Sequence, residues 1–438
     1  MSTPARAFVA RPGGRVAGAI RVPGDKSISH RAVMLAGIAA GRSEIRGFLP
    51  GADCLATLAA MQAMGVRAER VAADHLLVDG AGSAGLLAPA GPLDLGNSGT
   101  AMRLLAGLLA WQTFDTVLVG DASLLRRPME RVAAPLRRMG ASITTTAGRP
   151  PLRLRGTPGL RGCTHRLEVP SAQVKSALLL AGLGAAGRTE VHEPAPTRDH
   201  TELMLEAFGV PVERGERSVA IRGPAALRAC AIDVPGDFSS AAFFIVAGIV
   251  AGAGPLRIRD VGINPRRTGL LAILERMGAD IRVLAPRQSG GEPVADLEVH
   301  PGVLHGIEVP GELVAAAIDE FPVLFAAAAL AEGETVVTGA AELRVKESDR
   351  IAVMAEGLQA LGVRVAVLPD GLRVTGGAVH GGCVDSHGDH RVAMAFAVLA
   401  ARAAAAVEIR DVANVQTSFP GFVATARQAG LAVEDSGR

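Results

Sequence analysis

The sequence predicts an α/β fold of two domains, each built from three βαβαββ repeats, and three observations carry that reading. First, a helix ending in glycine and followed by an alternating strand recurs six times, as AMGVRA at Gly65, RMGASI at Gly140, AFGVPV at Gly209, RMGADI at Gly278, ALGVRV at Gly362 and QAGLAV at Gly430. Second, a tight turn opening a long apolar helix stands about 40 to 50 residues before each glycine. Third, the sixth repeat is short: only LAVEDSGR follows Gly430, while the N-terminal ARAFVARPGGRVAGAIRVPG reads as the pair of strands it lacks.

Taken in order, the opening turns and helices are VPGDKSISHRAVML, LGNSGTAMRLLAGL, VPSAQVKSALLLAG, VPGDFSSAAFFIVAG, VPGELVAAAIDEFPVLFAA and SHGDHRVAMAFAVLA. Each closing glycine is the expected residue after a helix C-terminus, where φ > 0 is needed. The strands beyond, such as SITTTAGRPPLRLRG and VRVAVLPDGLRVTG, alternate and carry hairpin turns. The glycines are 75, 69, 69, 84 and 68 residues apart, longer than the ~20–50 residues of common solenoid repeats. Assigning the N-terminal strands to the last repeat gives one domain of residues 1–22 plus 236–438 and another of 23–235. The chain then crosses near Val22–Gly24 and Val234–Gly236, both marked by VPGD. A double crossing suits closure over a ligand. The uncharged stretch Ser239–Leu256 resembles a short membrane span, but its glycines, its proline and its place in the fourth repeat predict a buried helix.

Composition narrows the function. The 438 residues are 49% apolar and 3% aromatic, with a formal charge of +2. No basic run or basic–aromatic alternation points to nucleic acid. The cysteines Cys54, Cys163, Cys230 and Cys383 are scattered, with no CxxC pattern and no histidine pair at zinc spacing, so a reducing cytoplasm and no metal are expected. The first twenty residues lack the apolar core of a signal peptide.

Lys26, Lys175 and Lys346 are the only lysines among 45 basic residues. A bias that favours arginine leaves lysine where a compact ammonium does what a planar guanidinium cannot. All three fall at predicted helix starts, whose free N–H groups and partial positive charge favour anions. Beside them lie Ser27 and Arg31; Asn97, Ser98, Gly99, Thr100 and Arg103; Ser171 and Gln173; Asp319 and Glu320; Glu347, Asp349 and Arg350; and Asp389, His390 and Arg391. If these helix starts converge, they bind a strongly anionic substrate. RVKESDR alternates sign over a helix start, a pattern that an exposed ion-paired turn would share. AIDEFPVLF places two carboxylates inside an otherwise apolar helix, where a raised pKa would suit a proton carrier.

PGDKSISHRA, GNSGTAMR, RPMERV, SAQVKSALLLAG, TRDHTE, IDEFP, RVKESDR, DHRVAM and TSFP, in this order, resemble the 5-enolpyruvylshikimate-3-phosphate synthase family, nearest its class II bacterial subgroup. The resemblance runs from about Val22 to Phe422. It implies the enolpyruvyl transferase fold, a two-domain inside-out α/β barrel of six repeats. It also implies transfer of the enolpyruvyl group of phosphoenolpyruvate to the 5-hydroxyl of shikimate 3-phosphate, on the route to chorismate, with no cofactor and no metal. Carried over by motif, Lys26, Ser27, Arg31, Ser171, Ala172, Gln173, Arg198, Asp319 and Lys346 would hold shikimate 3-phosphate. Lys26, Gly99, Thr100, Arg127, Gln173, Glu347, Arg350 and Arg391 would hold phosphoenolpyruvate. Lys26, Asp319, Glu347 and His390 would be catalytic, Asp319 taking the proton of the 5-hydroxyl and Glu347, with Lys26, protonating the methylene carbon. Two positions depart from the pattern of some members: Ala172 replaces a serine and Thr417 a lysine.

A relative of the same fold, the UDP-N-acetylglucosamine enolpyruvyl transferase, is an alternative; it calls for a reactive loop cysteine and a KNAA-type start, where this chain has GDKS. A non-catalytic polyanion-binding repeat protein is another, although it has no use for acids facing phosphate. A cytoplasmic monomer is expected, with the two small-molecule substrates as partners and neither nucleic acid nor membrane. Lys26→Arg should fold normally yet lose most turnover, because the ammonium must fit between two substrates; retention of more than roughly a tenth of the activity would contradict the lysine reading.

Overall fold

The computed structural model describes residues 6–82, 85–157 and 159–436. Its α-helices are α1 (Lys26–Ile38), α2 (Ala52–Ala63), α3 (Gly99–Leu109), α4 (Glu130–Arg138), α5 (Ala172–Gly182), α6 (His200–Ala207), α7 (Phe238–Val250), α8 (Gly269–Arg276), α9 (Gly311–Ala317), α10 (Phe321–Ala329), α11 (Arg350–Ala360), α12 (His390–Leu399) and α13 (Phe422–Ala429). The chain divides into unit I, Gly24–Val234 with Gln288–Glu292, and unit II, Met1–Pro23, Pro235–Arg287 and Pro293–Arg438.

Among the described residues, three sheets belong to unit I. In each, a parallel pair is extended by an antiparallel hairpin whose second strand lies inside. Leu93–Asp94 pairs parallel with Thr116–Val119, which runs antiparallel to Arg149–Arg155, with Ser142–Thr146 at the edge. Thr164–Arg166, Gly187–His192, Ser218–Gly223 and Glu213–Arg214 repeat that order. In the third sheet the parallel partner of Ala39–Arg46 is Ala231–Asp233, the strand just before α7, with Ile45 opposite Ile232. Unit II shows the reciprocal exchange: Val16–Arg21, the strand just before α1, pairs parallel with Gly252–Gly262.

The N-terminal segment therefore does not close the sixth repeat with two strands. Ala7–Arg11 alone joins that sheet, between Val407–Arg410 and Ala432–Asp435. LAVED alternates buried and exposed residues well enough to supply the other closing strand itself. Residues 288–292 also depart from the expected division. This hairpin tip packs with unit I, where Glu292 is buried against His200, Nδ1 to Oε1 2.7 Å.

The repeat-opening helices α1, α3, α5, α7, α10 and α12 are apolar on nearly every side and buried along most of their length, as central helices must be. The half-buried sheets cover them. Side chains of Asp25, Ser98, Ser171, Asp237 and Asp389 cap five of the six, each worth about 1 kcal/mol. All six closing glycines have positive φ, from 83° at Gly362 to 104° at Gly140. Close approach of α3 and α5 depends on Gly107, where a β-carbon would stand 2.1 Å from the Ala177 carbonyl oxygen.

One expected helix is broken. AAIDEFPVLFAA forms α9 and α10 with residues 318–320 between them. Pro322, at the start of α10, fits a first turn but could not continue an earlier helix. Asp319 and Glu320 thus stand at a helix start rather than inside one. Ser239–Leu256 splits into α7 and a strand, and α7, 13 residues long, spans about 20 Å against a bilayer core of ~30 Å. Among the described residues no helix is long and apolar enough to cross a membrane.

Lys175 lies inside α5 with its side chain fully buried, not at a ligand-facing helix start. Its ammonium meets Glu193 Oε2 at 2.9 Å, Glu202 Oε1 at 2.8 Å and the Thr197 carbonyl at 3.3 Å, one acceptor for each proton. Lysine is specified here by structure. Lys175→Met would leave two buried carboxylates without that cation, a loss of about 3–5 kcal/mol. Denaturant unfolding should show the drop, and an unchanged midpoint would contradict it.

Candidate active site

In unit I the starts of α1, α3 and α5 are tied together by polar side chains. Arg31 of α1 donates from NH2 to Ser176 Oγ of α5 at 2.9 Å, from Nε to Thr201 Oγ1 of α6 at 2.7 Å, and from NH1 to the Ser27 carbonyl at 2.8 Å. His30 of α1 bridges Thr57 Oγ1 at 2.7 Å and Ser98 Oγ, the α3 cap, at 3.3 Å. Gln173 of α5 donates to Thr100 Oγ1 of α3 at 2.9 Å and accepts from Arg103 NH1 at 2.5 Å. Each pair of helix starts is thereby joined.

The expected ligand-binding residues of this unit fall on that frame. Lys26 is the first residue of α1, its Nζ 2.5 Å from Asp53 Oδ2. Ser27 follows it, Ser171 caps α5, and Ala172 and Gln173 open that helix. Gly99 and Thr100 open α3; a β-carbon at Gly99 would lie 2.9 Å from Arg127 NH1 and 3.0 Å from Arg103 NH1. Arg127 donates to Asn97 Oδ1 at 2.5 Å. Arg198, in the loop before α6, is near enough for its charge to act on Arg31. Burial pulls the Arg31 guanidinium down to about 10, while Glu202 and Asp25 oppose the fall. Burial also holds His30 well below its ordinary value, helped by the charges of Lys26 and Arg31.

Unit II joins the starts of α7, α10 and α12 in the same way. Arg391 of α12 donates from NH1 to Ser239 Oγ of α7 at 2.5 Å and to the Asp319 carbonyl before α10 at 3.0 Å. Ser239 Oγ donates to Glu320 Oε1 at 2.5 Å. The Asp319 carboxylate is surrounded by cations rather than apolar groups: Lys346 Nζ at 3.2 Å, Arg350 NH1 at 3.5 Å and Arg391 NH2 at 4.0 Å. Lys346 precedes α11 by several residues instead of lying in its first turn. Arg350, at the start of α11, pairs with Glu347 Oε2 at 2.6 Å and Asp389 Oδ2 at 2.8 Å. Burial alone would lower the Arg350 pKa, but Asp389, Glu347 and Asp319 hold it above its ordinary value. Burial would raise Asp389, yet Arg350 keeps it below the usual carboxylate range. His390 opens α12 and is buried. Thr417 turns inward on its own segment, donating to the Asn414 carbonyl at 2.7 Å.

Asp53, Thr201, Ser239 and Arg267, the last donating to Glu320 Oε1 at 2.8 Å, belong to these networks without having been marked as ligand-binding by the sequence. An acid in the first turn of a helix, like Asp53 in α2, has an ordinary helix-dipole role that hides its pairing with Lys26. Among the described residues no group of three or more His, Cys, Asp or Glu side chains is placed to hold a metal ion.

The fold is that of the enolpyruvyl transferases. The enolpyruvyl transferase NikO from Streptomyces tendae superposes with a TM-score of 0.80 over 99% of each chain, at 22% identity. An EPSP synthase structure from Acinetobacter baumannii gives 0.89 at 48% identity, covering 98% of this chain and all of that one. Residues 10–425 match the EPSP synthase (3-phosphoshikimate 1-carboxyvinyltransferase) family profile, and the chain belongs to that family. Proteins named 3-phosphoshikimate 1-carboxyvinyltransferase are 59% identical in Methylococcus capsulatus, over 98% of both chains, and 60% identical in Halorhodospira halophila, over 97% of this chain and 96% of that one.

The buried His30 ring should remain neutral on acidification. Its imidazole resonances are expected to keep their neutral positions on acidification through the ordinary histidine range, and a titration near the ordinary ~6.5 would contradict the described burial.

Proposed function

We propose that the chain transfers the enolpyruvyl group of phosphoenolpyruvate to the 5-hydroxyl of shikimate 3-phosphate and releases inorganic phosphate. Family membership over nearly the whole length carries this reading, and the two charged networks support it. The pair of substrates brings two phosphates and two carboxylates, and the chain answers with fixed cations at helix starts.

The residues divide the work. Lys26, Ser27, Arg31, Ser171, Ala172, Gln173, Arg198 and Lys346 bind shikimate 3-phosphate. Gly99, Thr100, Arg127, Glu347, Arg350 and Arg391 bind phosphoenolpyruvate, with Lys26 and Gln173 serving both. Asp319 also meets the cyclohexene ring of shikimate 3-phosphate and accepts the 5-hydroxyl proton as that oxygen bonds to C2 of phosphoenolpyruvate. The methylene carbon takes a proton from Glu347, assisted by Lys26, and becomes a methyl group. His390 helps to set the charge around this step. The tetrahedral adduct then loses a methyl proton, its C–O bond to phosphate breaks, and the double bond re-forms. Flanking carboxylates stabilise the positive charge that develops at C2.

Substrate binding would prepare both acids. Glu347 is paired with Arg350. A substrate carboxylate on Arg350 would share that cation and add a like charge, favouring the protonated acid needed for carbon protonation. Anions on Lys346, Arg350 and Arg391 would likewise offset the cations around Asp319.

Phosphate release with phosphoenolpyruvate and either shikimate 3-phosphate or UDP-N-acetylglucosamine tests the assignment. Release with the first acceptor alone is expected; release only with the sugar nucleotide, or with neither, would overturn it. Asp319→Asn should keep phosphoenolpyruvate binding and lose turnover by about 10²–10⁴-fold. Unchanged turnover would remove Asp319 from its role.

A further inference from the structure

We propose that Arg267, Glu320 and Ser239 form a buried positioning device that aims Arg391 at phosphoenolpyruvate; this rests on Arg391 binding that substrate. None of the three is among the expected ligand-binding residues, and all three are buried. Arg267 lies in the INPRRTG connection ahead of α8, its guanidinium 5.9 Å from the centre of the Phe238 ring. Its NH1 meets both Glu320 oxygens at 2.8 Å, and its NH2 donates to Ser239 Oγ and stands 3.5 Å from Asp237 Oδ1.

Ser239 is the junction. Its hydroxyl donates to Glu320 Oε1 at 2.5 Å and accepts from both Arg267 NH2 and Arg391 NH1, which uses its one proton and both lone pairs. Arg391 NH1 is also held by the Asp319 carbonyl at 3.0 Å and by Glu320 Oε1 at 3.4 Å. One nitrogen of Arg391 is thus committed to the protein, and recognition of an anion falls to Nε and NH2. A guanidinium fixed at one nitrogen can turn little about its own axis, so its remaining edge meets a carboxylate in a single orientation.

Stability alone is a poor reason for such a cluster. A buried Arg–Glu pair is commonly no more stabilising than well-packed apolar residues of the same volume. What the pair contributes is direction, because it holds Ser239 and through it Arg391 in one arrangement before substrate arrives.

Steady-state rates of phosphate release by the full chain, with each substrate varied in turn, test the assignment. Ser239→Ala should raise the KM for phosphoenolpyruvate about tenfold, leaving the KM for shikimate 3-phosphate within about twofold and changing kcat less than KM. Ser239→Thr, which keeps the hydroxyl, should recover most of the loss. Glu320→Gln provides a second disruption of similar shape and should act on the same constant. Equal effects on both substrates, or a lowered Tm with both KM values unchanged, would reduce the cluster to a structural role and overturn the inference while the proposed activity stands. Absence of turnover by the unmodified chain would sink the proposed activity and the inference with it.

Discussion

In each unit, polar side chains join three central helices at their N-termini, and this closure is the constraint from which the rest follows. A helix start leaves four backbone N–H groups without intrahelical partners and carries about half a positive charge. Three such ends brought together repel one another and leave many donors to satisfy. Caps answer part of this need, with Asp25, Ser98 and Ser171 in unit I and Asp237 and Asp389 in unit II. Hydrogen bonds between helices answer another part, through Arg31–Ser176, His30–Ser98 and Gln173–Thr100 in unit I. In unit II they run through Ser239–Glu320, Arg391–Ser239 and the Asp319 carbonyl. What remains is a set of donors and cations suited to anions.

The two networks differ in how their cations are held, and the difference fits a division of labour. In unit I Lys26 pairs with Asp53, Glu202 and Asp25 act on Arg31, and Arg31, Arg103 and Arg127 donate to the neutral side chains of Ser176, Gln173 and Asn97. In unit II the four cations Lys346, Arg267, Arg350 and Arg391 face five acids, Asp237, Asp319, Glu320, Glu347 and Asp389, many of them in direct ion pairs. Cations held by neutral groups bind and orient phosphates. A set paired with acids can move protons, since each carboxylate responds when an anion shares its cation. Burial sharpens both effects, because charges interact more strongly away from water.

Much of this was legible because local rules and the fold agree. The closing glycines announce themselves since only a residue tolerant of positive φ ends those helices. The central helices show their positions as apolar runs behind turn residues, and motifs located the charged residues around them. Two features escaped. Pairing of Ala7–Arg11 and Val16–Arg21 with two different sheets depends on which edge each strand meets, which alternation does not encode. The break at IDEFP was written in Pro322, but the apolar residues on both sides disguised it as one helix. Lys175 shows a subtler limit. Its rarity did mark a site that only an ammonium fills, yet the acceptors are Glu193, Glu202 and Thr197 of the protein itself rather than a ligand.

The hydrogen bonds between helix starts hold the anion-binding groups in place whether or not a ligand is bound. Crystal structures of the chain without ligand, with shikimate 3-phosphate alone and with phosphoenolpyruvate alone would test this placement. Arg31 is expected to keep its bonds to Ser176 and Thr201, Gln173 to Thr100, and Arg391 to Ser239 in every state, with substrate atoms added to other donors. Bonds that form only when ligand is present, or that ligand must break, would contradict it.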